Sequence, residues 1–141
     1  MPYAIESLVW AQFVTQELGE GTTTALFYVN NEFGQAYADA YKEITAELGI
    51  EIVAEETIDA TESGAPTGQL TNIVAADPDS VLAVPLGAQC IAFMTELGNQ
   101  QAANPDFDAL VYQTATCASP VFFGAVANDG AVGVYTSNHL K

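Results

Sequence analysis

The chain has 141 residues, half of them hydrophobic, and sets 18 acidic side chains against two lysines and no arginine, for a formal net charge of -16 at pH 7. This length suits one compact domain that hides roughly 70% of its unfolded surface, and the apolar content excludes a disordered chain. Nucleic acid, polyanions and anionic membranes are excluded as partners because each requires Lys or Arg to neutralise phosphates.

The N-terminal Met1-Pro2-Tyr3-Ala4-Ile5-Glu6 has neither a positive n-region nor an apolar h-region, so no export signal is expected in the chain itself. No apolar run approaches the roughly 20 residues of a membrane-spanning helix, so membrane insertion is not expected either. Val9, Trp10, Phe13, Val14 and Leu18 fall on one helical face and predict a helix over Leu8 to Leu18. Thr24 to Val29 is β-branched and aromatic and predicts the first strand. Asn30-Asn31-Glu32-Phe33 forms a polar loop, and a second helix opens near Gly34 with Tyr37, Tyr41, Ile44 and Leu48 inward.

Ile50 to Thr57 predicts a second strand with one more polar edge, and Ala60 to Pro66 a loop. Leu70, Ile73 and Val74 carry a third helix that stops before Asp77-Pro78. Ser80 to Pro85 is a short apolar run that fits a buried parallel strand. Ala88 to Leu97 follows as a helix with Ile91, Met94 and Leu97 inward, then a polar linker over Asn99 to Asp108. Ala109 to Thr114 is the fourth strand, Ser119-Pro120 opens a short helix to about Val126, Asn128-Asp129-Gly130 is a turn, and Val132 to Thr136 is the fifth strand. The tripeptide Glu-Leu-Gly at 17–19, 47–49 and 96–98 is expected to end a helix each time, its glycine supplying the left-handed residue.

Alternating helices and strands imply an α/β fold: a three-layer α/β/α, Rossmann-like unit with a mainly parallel sheet of about five strands. In such sheets small ligands bind at the carboxyl ends of the strands. Cys90 and Cys117 each lie just past the end of a strand, on consecutive parallel strands, and are expected to form a disulfide worth about 3.5 kcal/mol in the chain-entropy model. That bridge would favour an extracytoplasmic home.

Enzymatic readings find little support. His139, the single histidine, lies near the C-terminus, where a Ser-His-Asp arrangement has no scaffold. Asn30 to Gln35 has one glycine where dinucleotide and P-loop fingerprints need at least two at fixed spacing. Glu55-Glu56 and Asp77/Asp79 read as solvated edges rather than metal ligands, so no catalytic residue, metal or cofactor is expected.

Phe27-Tyr28-Val29-Asn30-Asn31-Glu32-Phe33-Gly34-Gln35-Ala36-Tyr37-Ala38 resembles the strand, loop and helix of substrate-binding proteins of branched-chain amino-acid ABC transporters, of the type I periplasmic binding protein superfamily. Val53-Ala54-Glu55-Glu56-Thr57, Gln69-Leu70-Thr71-Asn72-Ile73 with Ala75-Ala76-Asp77-Pro78-Asp79, Gly87-Ala88-Gln89, and Cys117-Ala118-Ser119-Pro120 match in order. Gly133-Val134-Tyr135-Thr136-Ser137 is similar to the strand that returns toward the family's hinge. The resemblance covers one of the family's two lobes, so residues 1–141 are expected to be a single lobe without its first lobe or signal peptide.

The resemblance implies a periplasmic or extracellular solute-binding lobe of an ABC transporter, for amino acids or related small polar or aromatic compounds. It would work by hinge closure with the missing first lobe and an ABC permease as partners. A lone lobe could also self-associate through its exposed cleft or hinge face. The alternatives are a ligand-sensing domain of a receptor or regulator, and a small flavodoxin-like enzyme or cofactor carrier. By position, the implied ligand-binding residues are Asn30, Asn31 and Phe33 after the first strand, Leu86, Gly87, Ala88 and Gln89 after the third, and Thr114, Ala115 and Thr116 after the fourth. For Asn30 and Asn31 turn formation is the competing role, and for Phe33 a helix-start core position.

Overall fold

A computed structural model describes residues 3–19, 22–62, 64–85, 88–107, 109–113 and 134–135. In chain order the elements are α1 (Tyr3–Leu18), β1 (Thr23–Val29), α2 (Glu32–Leu48), β2 (Glu51–Ile58), α3 (Thr67–Ala76), β3 (Ser80–Val84), α4 (Ala88–Ala103), β4 (Leu110–Gln113) and β5 (Val134–Tyr135). The strands form one five-stranded sheet in the order β2-β1-β3-β4-β5, every pairing parallel. This is the α/β/α, Rossmann-like arrangement that the sequence pattern implies.

The two faces of the sheet follow from the alternation of side chains along each strand. Ala25, Phe27 and Val29 of β1, Val81 and Ala83 of β3 and Val111 of β4 pack with Leu70 and Ile73 of α3 and Phe93, Met94 and Leu97 of α4. Leu26 and Tyr28, Leu82 and Val84, and Tyr112 face the other way, onto Trp10, Ala11 and Val14 of α1 and Tyr37, Ala38 and Tyr41 of α2. Trp10 stacks on the ring of Tyr112 with centroids 5.2 Å apart, which seats α1 over β4. At the opposite edge β2 is half exposed and holds Glu51, Glu55 and Glu56; the register slips by one residue between Thr24 and Ala25 opposite it. Charge and a bulge on an edge strand both discourage pairing with another chain.

Polar groups buried among these apolar layers are matched to one another. The Thr24 hydroxyl lies 2.7 Å from the Tyr41 hydroxyl and accepts from Ser80 Oγ at 2.9 Å, joining β1, α2 and β3 through three hydroxyls. Burial pushes the Tyr41 phenol up to about 12.

Several sequence expectations need correction. The helix expected from Leu8 begins at Tyr3, and Leu18, grouped with its inward face, is 42% exposed. Gly19 and Gly49 do end helices, at φ 86° and 74°. The third Glu-Leu-Gly does not: α4 runs through Gly98 to Ala103, so half of the expected polar linker is helical. An interior glycine costs a helix only about 1 kcal/mol, and Asn99-Gln100-Gln101-Ala102-Ala103 are adequate helix formers. The stop comes instead from Pro105, which disfavours the helical conformation at Asn104 before it; the Asn104 backbone N–H and Nδ2 both donate to the Gln100 carbonyl, at 2.8 and 2.9 Å, and close the last turn. The helix expected over 119–126, the 128–130 turn and the flanks of β5 lie outside the described residues.

Candidate functional site

In this sheet the chain steps from β1 to β2 in one direction and then returns past β1 to β3, β4 and β5. The helices that follow β1 and β3 therefore leave toward opposite faces, α2 on one and α4 on the other. Between the carboxyl ends of two such strands a crevice opens, and this is where open α/β sheets take their ligands. The loop after β1 and the start of α4 after β3 border that position as its two candidate walls.

The first wall is fixed by backbone bonds. Asn30 N–H donates to the Ile58 carbonyl at 2.8 Å, tying the loop to the end of β2, and Asn31 N–H donates back to Val29 at 2.9 Å. Asn31 is extended (φ -150°, ψ -177°), and its side-chain oxygen accepts from Gly34 N–H at 2.9 Å, so it is the N-cap of α2. A cap satisfies one of the donors that a helix start leaves open. Gly34 presses on β1: a methyl group on its Cα would overlap the Val29 carbonyl oxygen. Only glycine lets the first turn of α2 approach the strand this closely.

The two asparagines thus differ in role. The oxygen of Asn31 serves its own helix, whereas Asn30 is exposed at the crevice edge. Phe33 is half buried, meets Tyr37 edge to face at 5.2 Å, and touches the apolar clusters on both sides of the sheet. It combines the expected core contact with an accessible part.

The second wall begins with buried Pro85, and Ala88 is the first residue of α4. Gln89 is only 4% exposed, and its Nε2 donates to two backbone carbonyls of the turn after β2, Asp59 at 3.0 Å and Glu62 at 2.8 Å. That turn is ordered from within: Asp59 Oδ1 accepts from Thr61 N–H and Oγ1 at 2.9 and 2.8 Å, and Glu62 Oε1 accepts from Gly64 N–H at 2.9 Å. The backbone and hydroxyl hydrogen bonds from Thr61 hold the Asp59 carboxyl below the usual carboxylate range.

Sequence reasoning missed Gln113, a fully buried amide one residue before the expected third loop. Its Nε2 donates to the Cys90 carbonyl at 3.2 Å and so joins β4 to the first turn of α4. A glutamine closing an apolar strand was the available signal. Cys90 is fully buried and is not a free thiol. Leu86, Gly87, Thr114, Ala115, Thr116, Cys117 and His139 lie outside the described residues. Of the expected ligand residues, the described structure brings Asn30, Asn31, Phe33, Ala88 and Gln89 to the same edge of the sheet.

Behind the first wall, the Tyr28 hydroxyl donates to Glu55 Oε2 at 2.7 Å, and Lys42 Nζ meets the same oxygen at 2.8 Å. Burial, followed by the hydrogen bond to Glu55 and its negative charge, pushes the Tyr28 phenol up to about 12. For Glu55 burial acts upward, but the hydrogen bonds from Lys42 and Tyr28 and the lysine charge outweigh it and hold the carboxyl low. Among the described residues no three His, Cys, Asp or Glu side chains gather as metal ligands would, and no helix is long and apolar enough to cross a membrane.

Residues 2–139 match the family model described as periplasmic binding protein. No curated protein sequence matches the chain. Among solved structures, an extracellular ligand-binding receptor from Rhodopseudomonas palustris HaA2 is 24% identical with a TM-score of 0.82, over 96% of this chain and 36% of that one. A fatty acid ABC transporter substrate-binding protein from Thermomonospora curvata is 15% identical with a TM-score of 0.80, over 96% and 34% of the two chains. An ABC transporter substrate-binding protein from Aeropyrum pernix is 16% identical with a TM-score of 0.75, over 95% and 34%. The chain thus spans about a third of the length of the solved structures it matches.

Proposed function

The chain belongs to the periplasmic binding protein family, and from that premise we propose that it forms one lobe of a two-lobed extracytoplasmic solute receptor serving an ABC transporter. The observation that carries this reading is the convergence of Asn30, Phe33 and the start of α4 on the crevice between β1 and β3. An exposed amide beside a partly accessible aromatic ring suits a small ligand with one polar and one apolar part. Amino acids, their amides and aromatic carboxylic acids all have that character.

Within this reading Asn30, Phe33, Leu86, Gly87 and Ala88, with Thr114, Ala115 and Thr116, supply one wall of the ligand site, and Asn31 shapes it by capping α2. A second lobe supplies the opposite wall. Ligand held between the two stabilises the closed arrangement, which is the form a permease reads. A Cys90–Cys117 disulfide would brace α4 where it borders the crevice, in keeping with an oxidising compartment.

A thermal-shift panel of amino acids, amides and aromatic acids, run on the chain joined to a first lobe, tests the proposal. One chemical class should raise the midpoint, and Phe33→Ala should abolish the rise. A panel in which nothing stabilises the protein overturns the reading.

A further inference from the structure

The two walls of the crevice come from segments more than fifty residues apart, and one hydrogen-bonded path runs between them. It starts at Asn30, whose N–H holds the Ile58 carbonyl at 2.8 Å. The next residue, Asp59, and then Glu62 offer their carbonyls to Gln89 Nε2, at 3.0 and 2.8 Å, and Gln89 is the second residue of α4. Asp59 O also accepts from Glu62 N–H at 3.0 Å, so the turn presents both carbonyls as a preformed pair.

We propose that Gln89 is a positioning residue, which sets the separation of the two walls by clamping the turn after β2 against the first turn of α4. The inference rests on reading these loops as walls of a ligand crevice, and it gives Gln89 a role different from direct ligand contact. Three features support it. The side chain is 4% exposed, so its Nε2 faces protein rather than the crevice. A glutamine amide carries two N–H donors, and two carbonyl acceptors lie within reach, which matches its donor capacity. The clamped turn is itself stiffened by the Asp59 and Glu62 side-chain bonds, so force at one wall reaches the other without being absorbed between them. Gln89→Glu would lose both bonds, because a carboxylate has no proton for either carbonyl.

Amide hydrogen exchange, followed by NMR on the 141-residue chain and on Gln89→Met, tests the clamp without any ligand. Loss of the two bonds should speed exchange at Thr61, Glu62 and Gly64 roughly tenfold, and also at Asn30, while Leu82 in the middle of β3 keeps its protection. If the turn loosens and Asn30 does not, the clamp stops at the turn and the proposal is overturned. Equal acceleration at Leu82 means general destabilisation and overturns it as well. Should Gln89→Met fail to fold, Thr61→Val loosens the same turn from inside, and faster turn amides beside an unchanged Asn30 amide would again overturn the clamp. Neither result bears on the solute-binding reading, which the thermal-shift panel decides separately.

Discussion

The Cα of Gly34 lies against the carbonyl oxygen of Val29, closer than any side chain at that position would permit. The contact brings the first turn of α2 down onto the end of β1 and sets the height of the crevice wall. Adding one methyl group, Gly34→Ala, must push the helix away from the strand. A loss of about 3 kcal/mol in urea unfolding is expected, at the upper end of overpacking effects. A loss below about 1 kcal/mol would show that the turn relaxes easily.

The neighbouring asparagines should respond differently to the same substitution. Asn31→Ala removes the α2 cap and should cost about 1 kcal/mol of folding stability. Asn30→Ala removes an exposed side chain and should stay within about 0.5 kcal/mol, while weakening any ligand the panel identifies. The opposite ranking in chemical denaturation would undo the division of roles.

Lys42 and Glu55 make a partly exposed pair, at 39% and 35% side-chain exposure, so its contribution at neutral pH should be under about 1 kcal/mol. Because the Glu55 carboxyl is held low in the folded state, that stability is present above the unfolded carboxylate range and disappears as pH falls through the folded value. Lys42→Met should therefore be less stable than the parent at pH 7 and nearly equal to it near pH 3. A difference that persists in acid would mean that Lys42 acts through its aliphatic stem.

Tyr28 and Tyr41, both pushed up to about 12, favour the neutral phenol in the fold. Their contribution is complete below pH 10 and is lost as pH rises from there toward 12. In an ultraviolet titration these two should ionise only above the range of ordinary tyrosines, or together with unfolding. Removing the Tyr28 share by Tyr28→Phe should leave one late phenol fewer.

A net charge of -16 with a single ion pair among the described residues makes self-repulsion a dominant surface term. Screening shortens the Debye length from about 10 Å at 0.1 M salt to about 3 Å at 1 M. The thermal midpoint should rise across that range, with sodium chloride and choline chloride acting alike. A flat response would indicate that the carboxylates lie too far apart to repel.

The strands were legible in the sequence because runs such as Leu26 to Val29 combine β-branched and aromatic side chains, and Gly19 and Gly49 because a left-handed helix end favours glycine. Gly98 misled for a physical reason: its tripeptide is the same as the other two, and what differs is downstream, where helix formers continue as far as the stop at Asn104-Pro105. Leu18 misled because apolar periodicity cannot tell which turn of a helix overruns the sheet. At the loop after β1, the sequence marked both asparagines but could not sort Asn30 from Asn31, since both suit a turn and only the geometry at Gly34 N–H assigns the cap. Gln89 was noticed for its position, while its partners, 27 and 30 residues earlier, leave no local trace.

β1 is paired on both edges, yet both of its partners, β2 and β3, follow it in the chain. During synthesis the segment Thr23–Val29 therefore leaves the ribosome with two open edges, and the second of these closes only when Ser80–Val84 has emerged. For the time taken to translate that interval, a strand buried at six of its seven positions in the finished sheet is available to any neighbouring nascent chain. At 5–20 residues per second this window lasts roughly 3–10 s, a period in which chaperone occupancy would decide the yield of folded protein.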